Sequence, residues 1–105
     1  MPPETYVYVL VRADLPHPHL TIQAAHAVLA ATISYGQPTA RHPNLVILTV
    51  PDEGALDAEF ERLKEAGIPA VCWDEDDMGG QRTAVATGLL QGLERRHFRR
   101  FKLLS

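Results

Sequence analysis

Eight consecutive residues, Thr5 to Arg12 (TYVYVLVR), are β-branched, aromatic or otherwise apolar almost without interruption. A strand with one face in water alternates apolar and polar residues. A run without that alternation is covered on both faces. This segment therefore predicts a central strand with a layer on each side, and the rest of the chain supplies the layers.

A helix is predicted from about His19 to Ser34. Ile22, Ala25 and Leu29 fall at helical spacing, and so do Ala24, Val28 and Ala31. Pro18 suits a first helical turn, where its missing N–H costs nothing. Gly36, Pro38 and Pro43 mark the loop that follows. Leu45 to Val50 reads as a second strand. Pro51 ends it, and Asp52 is a predicted cap for a helix running to about Ala66, with Leu56, Phe60 and Leu63 as its buried stripe and Gly67 closing it. A short third strand, Ala70 to Trp73, leads into a polar loop from Asp74 to Arg82. A fourth strand spans Thr83 to Thr87, and Gly88 to Gly92 turn the chain. A short helix, Leu93 to Phe98, and an extended end at Phe101 to Leu104 complete it.

The expected fold class is α/β, as one domain over residues 1–105. It has a mixed four-stranded sheet with helices on both faces and the order β-α-β-α-β-β-α. In such sheets ligands gather beyond the carboxyl ends of the strands.

Composition narrows the function classes. At 46% hydrophobic and 22% charged residues, the 105-residue chain is ordinary globular material. No apolar run reaches the roughly 18 residues a membrane span needs, and no secretory signal opens the chain. One cysteine, Cys72, excludes an internal disulfide, so a reducing cytoplasmic setting is expected. Its apolar neighbours predict a buried, inert thiol.

The net charge of −3 argues against a general nucleic-acid binder, but the charge is segregated. Residues 52–77 hold ten carboxylates and two bases, whereas Arg95, Arg96, Arg99, Arg100 and Lys102 stand against Glu94 near the end. Such a basic stretch is either a phosphate-facing patch or a solvated helix face.

Two groups of residues could carry chemistry. His19, Gln23 and His26, at i, i+4 and i+7, share one helical face. They either line a cleft or are separately satisfied by backbone groups, and His26, deeper in the helix, reads as structural. The second group is Asp74, Glu75, Asp76 and Asp77, of which Asp74, directly after the strand, is best placed to orient a histidine or a water. No metal is expected, because His19 and His26 lie roughly 10 Å apart along the helix and no ligand pair accompanies His17 and His19. Phosphate loops and nucleophile elbows are absent. The only serines are Ser34 and Ser105, which nearly excludes a serine nucleophile.

These residues resemble a known family. Val9-Leu10-Val11-Arg12-Ala13-Asp14-Leu15, followed by Gln23-Ala24-Ala25-His26-Ala27, is similar to the opening of type II peptidyl-tRNA hydrolases, the archaeal and eukaryotic type. Leu63 to Pro69 and the ending Phe101-Lys102-Leu103-Leu104 fit as well, so the resemblance covers nearly the whole chain. It implies hydrolysis of the ester between a peptide and tRNA, without cofactor or metal.

The chain also departs from the family. Pro18-His19 stands where the family has Gly-Lys, whose lysine is thought to be catalytic. Glu75 replaces an alanine after Asp74, the loop is shortened, and Thr83 is the one threonine left there. Trp73 and the ending Arg100-Phe101-Lys102-Leu103 resemble the divergent branch, the peptidyl-tRNA hydrolase domain-containing proteins.

The resemblance thus implies two functional readings. As an enzyme, His19 replaces the lysine, Asp74 orients it or a water, and Gln23 and Thr83 hold the ester. Arg12, Asp14, Arg82, Arg96, Arg99 and Arg100 then bind substrate, with tRNA as the partner. As a binding module, the chain keeps the groove without turnover and binds a tRNA end or a protein; a homodimer is left open. The enzyme reading predicts that His19, Gln23, Asp74 and Thr83 meet in one cleft, with the terminal arginines beside it.

Overall fold

The computed structural model describes residues 4–36 and 43–104, so Pro38 and Ser105 lie outside the described residues. The elements are β1 (Thr5–Arg12), α1 (His17–Tyr35), β2 (Asn44–Val50), α2 (Glu53–Glu65), β3 (Ala70–Glu75), β4 (Gln81–Thr87), β5 (Leu90–Gln91) and β6 (Lys102–Leu103). Two 3-10 segments, Asp76–Met78 and Gly92–Phe98, complete the set.

The sheet runs β3-β4-β1-β2-β6, with β5 paired to the start of β1. β1 and β2 are parallel, and the other pairings are antiparallel. The architecture is a single α/β unit around one mixed sheet. The sheet has six strands where four were expected, because two-residue strands such as β5 and β6 carry no readable periodicity. The predicted last helix is a 3-10 segment.

β1 is covered on both faces, as its sequence requires. Tyr8 and Leu10 pack toward α2 with Leu56, Leu63, Val85 and Phe98. Val9 and Val11 pack toward α1 with Leu20, Ala24, Ala27 and Ala31. Fully buried leucines such as Leu56 and Leu63 each contribute roughly 1.5–3 kcal/mol.

The caps of α2 form as expected. Asp52 Oδ1 accepts the Ala55 N–H at 2.9 Å. At the other end Gly67 adopts φ +74°, and the Ile68 and Gly67 N–H groups reach back to the Leu63 and Lys64 carbonyls. Cys72 is half-buried against the α2-side core.

α1 buries one of the two stripes that the spacing offered. Ala24, Ala27 and Ala31 face the sheet, while Ile22 and Leu29 are 52% and 61% exposed. Both stripes of the helix are apolar, so spacing alone could not choose a side. The small alanines permit the closer approach.

Candidate functional site

The site begins with a register shift. β3 and β4 pair in order from Ala70↔Thr87 to Trp73↔Ala84, and the next pair is Asp74↔Arg82. Thr83 is therefore the extra residue of a β-bulge. Strict alternation would set Thr83 beside Val85, on the α2 face. The bulge re-aims it to the α1 face.

There Thr83 Oγ1 lies 2.9 Å from Gln23 Oε1 and 3.3 Å from the Trp73 carbonyl. One hydroxyl proton serves one of them, and Gln23 is the closer. Both residues are buried, at 0% and 3% exposure.

Because Gln23 Oε1 accepts from Thr83, its amide N–H groups are left to donate elsewhere. Gln23, the Trp73 indole N–H and the Asp77 backbone N–H hold the Glu75 carboxyl below its usual range. Trp73 Nε1 is 3.3 Å from Glu75 Oε2, and the Asp77 N–H is 3.4 Å from Oε1. The Trp73 ring in turn stacks on the His26 imidazole, with centroids 4.5 Å apart and planes within 7°. The result is a chain of contacts, Thr83 to Gln23 to Glu75 to Trp73 to His26. His19 stands exposed one helical turn before Gln23.

The amino end of α1 opens toward the same end of the sheet. Pro16 supplies no side-chain cap, and no acidic residue sits in the first turn. The partial positive charge of the helix terminus is thus left uncompensated locally.

Several expected members lie elsewhere. Val71, Trp73 and Glu75 share the α1 face, which leaves Asp74 with Cys72 on the α2 face. Asp74 accepts there from Arg82 Nε at 3.4 Å. His19 and Asp74 thus belong to opposite faces, and the acid beside Gln23 is Glu75. Strand parity counted from Val71 was the signal that could have identified it. Trp73 was missed as a site residue, and His26, read as structural, stacks on it.

Arg82 is committed to structure. It pairs with Asp57 at 3.0 Å and stacks over Phe60, while its backbone N–H donates to Glu53 at 2.7 Å. Arg12 is committed too: it grips Asp14 through Nε and Nη2, both at 2.9 Å, and donates from Nη1 to Gln81 and to the Arg82 carbonyl. The Asp14 carboxyl is held below its usual range by that pairing.

The terminal basic cluster is not beside the α1 face. Phe98 and Phe101 anchor it in the α2-side core, and Arg100 bonds to Glu59 of α2. Arg96 donates to the Leu93 carbonyl, and Arg99 is exposed. Arg96, Arg99 and Arg100 therefore lie across the sheet from Gln23.

Two cavities also lie away from the Gln23–Thr83 cluster. One, of about 250 Å³, sits at the far end of α1 between Val28, Ala31, Leu45 and Leu89. The other, of about 380 Å³, opens on the α2 side. Neither cavity is lined by Gln23, Glu75 or Thr83. Among the described residues no group of three or more His, Cys, Asp or Glu is arranged to hold a metal ion, and no helix is long and apolar enough to cross a membrane.

No family model matches the sequence, and no curated protein does. A solved structure of a protein of unknown function from Agrobacterium tumefaciens is similar, with a TM-score of 0.72 over 97% of this chain and 98% of its own. The two sequences are 14% identical, so the likeness establishes a shared fold and nothing about activity.

Proposed function

We propose that the chain is a peptidyl-tRNA hydrolase-like protein of the cytoplasm that cleaves an acyl ester at the α1 face of the sheet. The observation that carries this reading is the Thr83–Gln23 hydrogen bond, 2.9 Å long and buried, which supports an ionised Glu75 near His26 of α1, with His19 exposed one helical turn before Gln23.

Thr83 and Gln23 are positioning residues, since neither is open to substrate. Glu75 takes the role the sequence offered to Asp74 and orients the attacking water. His19 accepts the water's proton as the oxygen bonds to the ester carbonyl carbon. The negative charge that forms on the carbonyl oxygen falls toward the uncapped amino end of α1. Collapse breaks the acyl–oxygen bond, and the imidazolium returns the proton to the departing hydroxyl. Water and ester thus become acid and alcohol. The stack on Trp73 fixes His26 and makes it part of the surface rather than the proton carrier. No cofactor enters this scheme.

The test is release of the acyl group from purified N-blocked aminoacyl-tRNA, with a chelator present. Release that falls at least about 100-fold in the His19→Ala variant supports the reading. Release that is absent, or unchanged in that variant, sinks it.

A second reading, the binding module, is favoured by one observation. α1 carries no Asp, Glu, Lys or Arg over 19 residues and exposes Ile22, Leu29 and Ile33, the last at 84%. A helix with an apolar outer stripe is suited to a protein partner or a second copy. A wild type inert on every ester, yet dimeric by sedimentation until Leu29→Asp is introduced, would favour this reading.

A further inference from the structure

The α2 face carries a cavity built from parts that the α1 face does not use. Its cavity, of about 380 Å³, falls within the range of small-molecule pockets. Tyr8, Leu48, Phe98 and Phe101 make its apolar wall, and Arg95 and Arg99 stand in its lining. No carboxylate lines it.

Aromatic packing sets the wall. Phe98 lies flat on Tyr8, with centroids 4.1 Å apart and planes within 3°. The Tyr8 hydroxyl accepts from Arg95 Nε at 3.1 Å, and the Arg95 guanidinium sits 3.9 Å above the Tyr6 ring. Arg95 is thereby held by its inner edge, leaving its two terminal nitrogens without a hydrogen-bond partner among the described residues. Arg99 makes no ion pair among the described residues either. Of the nearby carboxylates, Glu59 is engaged with Arg62 and Arg100 and Glu94 with the Gln91 N–H, while Glu4 accepts from the Tyr6 hydroxyl and its charge also acts on Arg95.

Arg95 and Arg99 both line this largely apolar cavity, and arginine forks match the planar geometry of carboxylate and phosphate oxygens. We propose that this cavity binds a small amphipathic anion, its apolar body against Tyr8, Leu48, Phe98 and Phe101 and its carboxylate or phosphate held by Arg95 and Arg99. The proposal is independent of the ester chemistry, because none of these residues lies on the α1 face.

The test uses full-length protein and four probes: octanoate and phenyl phosphate as amphipathic anions, octanol as the neutral body, and inorganic phosphate as the bare anion. At least one amphipathic anion is expected to bind saturably, one per chain, with amide shifts at Leu48, Phe98, Arg99 and Phe101. Which anion binds distinguishes an acyl from a phosphoryl ligand. Octanol and inorganic phosphate are expected to bind at least about tenfold more weakly. Arg99→Ala, at an exposed position that leaves the core intact, is expected to cost at least about tenfold in affinity. Arg95→Lys, which keeps the charge but loses the fork, is expected to weaken binding to a smaller extent. The proposal is overturned if neither anion saturates, if Arg99→Ala binds as the wild type does, if inorganic phosphate matches phenyl phosphate, or if the shifts map to Gln23 and Thr83.

Discussion

Thr83 and Gln23 are 60 residues apart in sequence, yet the Thr83 hydroxyl lies 2.9 Å from the Gln23 side-chain oxygen in the buried layer between β4 and α1. The bond exists because β4 carries one residue more than β3 between their matched pairs, so Thr83 turns toward α1 instead of away from it. Among the described residues it is the one buried side-chain-to-side-chain hydrogen bond between these two layers. Thr83→Val keeps the shape and removes the donor, leaving Gln23 Oε1 buried and unpaired. The expected cost is about 1–3 kcal/mol, read from urea unfolding midpoints. In a double-mutant cycle with Gln23→Met the two losses are expected to be non-additive by about 1 kcal/mol. Independent, additive losses would show that the bond contributes nothing of its own.

How much of this was legible in the sequence depends on the kind of signal. The unbroken run of β1, the Asp52 cap and the Gly67 terminator each act within a few residues, and each is found where the sequence indicates. The outward face of α1 was not legible, because Ile22 and Leu29 are as apolar as the residues that pack. The site was half legible. Gln23 and Thr83 were recognisable and do meet. Asp74 was favoured over Glu75 because it follows the strand directly, but side-chain parity decides the face, and parity assigns Glu75 to Gln23. The bulge was hidden, since no proline marks it and the nearest glycines, Gly79 and Gly80, belong to the turn before β4. The basic end was read as one patch; its aromatic anchors Phe98 and Phe101 determine which face it occupies.

Arg12 offers a stability test that separates structure from substrate binding. Its side chain is 10% exposed, and it ties Asp14 to the start of β4. Arg12→Met removes that tie and leaves Asp14 without its partner. A loss of roughly 2 kcal/mol is expected, discounted from the fully buried case because Asp14 is partly in water. The Asp14 carboxyl is expected to rise toward 3.8, its ordinary value, by carboxyl NMR titration. Its depressed pKa means that this stabilisation is present above that value and fades as pH falls through the lower folded one. A variant as stable as the wild type at neutral pH would return Arg12 to the pool of free cations.

His97 gives the opposite end of the molecule a pH signature. Burial first, then the neighbouring charges of Arg96 and Arg62, push its imidazole below 6.5. Arg62 can only donate, so its 3.3 Å approach to His97 Nδ1 requires that nitrogen to be unprotonated. The unfolded chain therefore binds the proton more readily than the folded one. Stability is expected to be flat above about 6.5 from this group, to fall as pH drops below it, and to level off once the folded imidazole is protonated. Thermal midpoints of wild type and His97→Gln across that range check it. Parallel pH curves would remove His97 as the cause.

The two neighbouring acids after Trp73 provide the sharpest test of the candidate site, because they differ in face and hardly at all in sequence position. Glu75 is held ionised by Gln23, Trp73 and the Asp77 N–H, whereas Asp74 is tied to Arg82 across the sheet. Glu75→Gln keeps the size and removes the charge that orients water. If the α1 face hydrolyses an acyl ester, this variant is expected to lose at least about 100-fold in kcat. Asp74→Asn weakens an exposed ion pair, which costs at most about 1 kcal/mol in stability, and it is expected to leave kcat within about twofold of the wild type. Gln23→Leu links the two observations. It removes the largest contribution to the depressed Glu75 pKa, so the carboxyl should titrate nearer 4.5 while the protein remains folded. Any activity limb that reports Glu75 protonation should then move upward in pH by the same amount. The reverse pattern, with Asp74→Asn inactive and Glu75→Gln unaffected, would place the chemistry on the α2 face and refute the site proposed here.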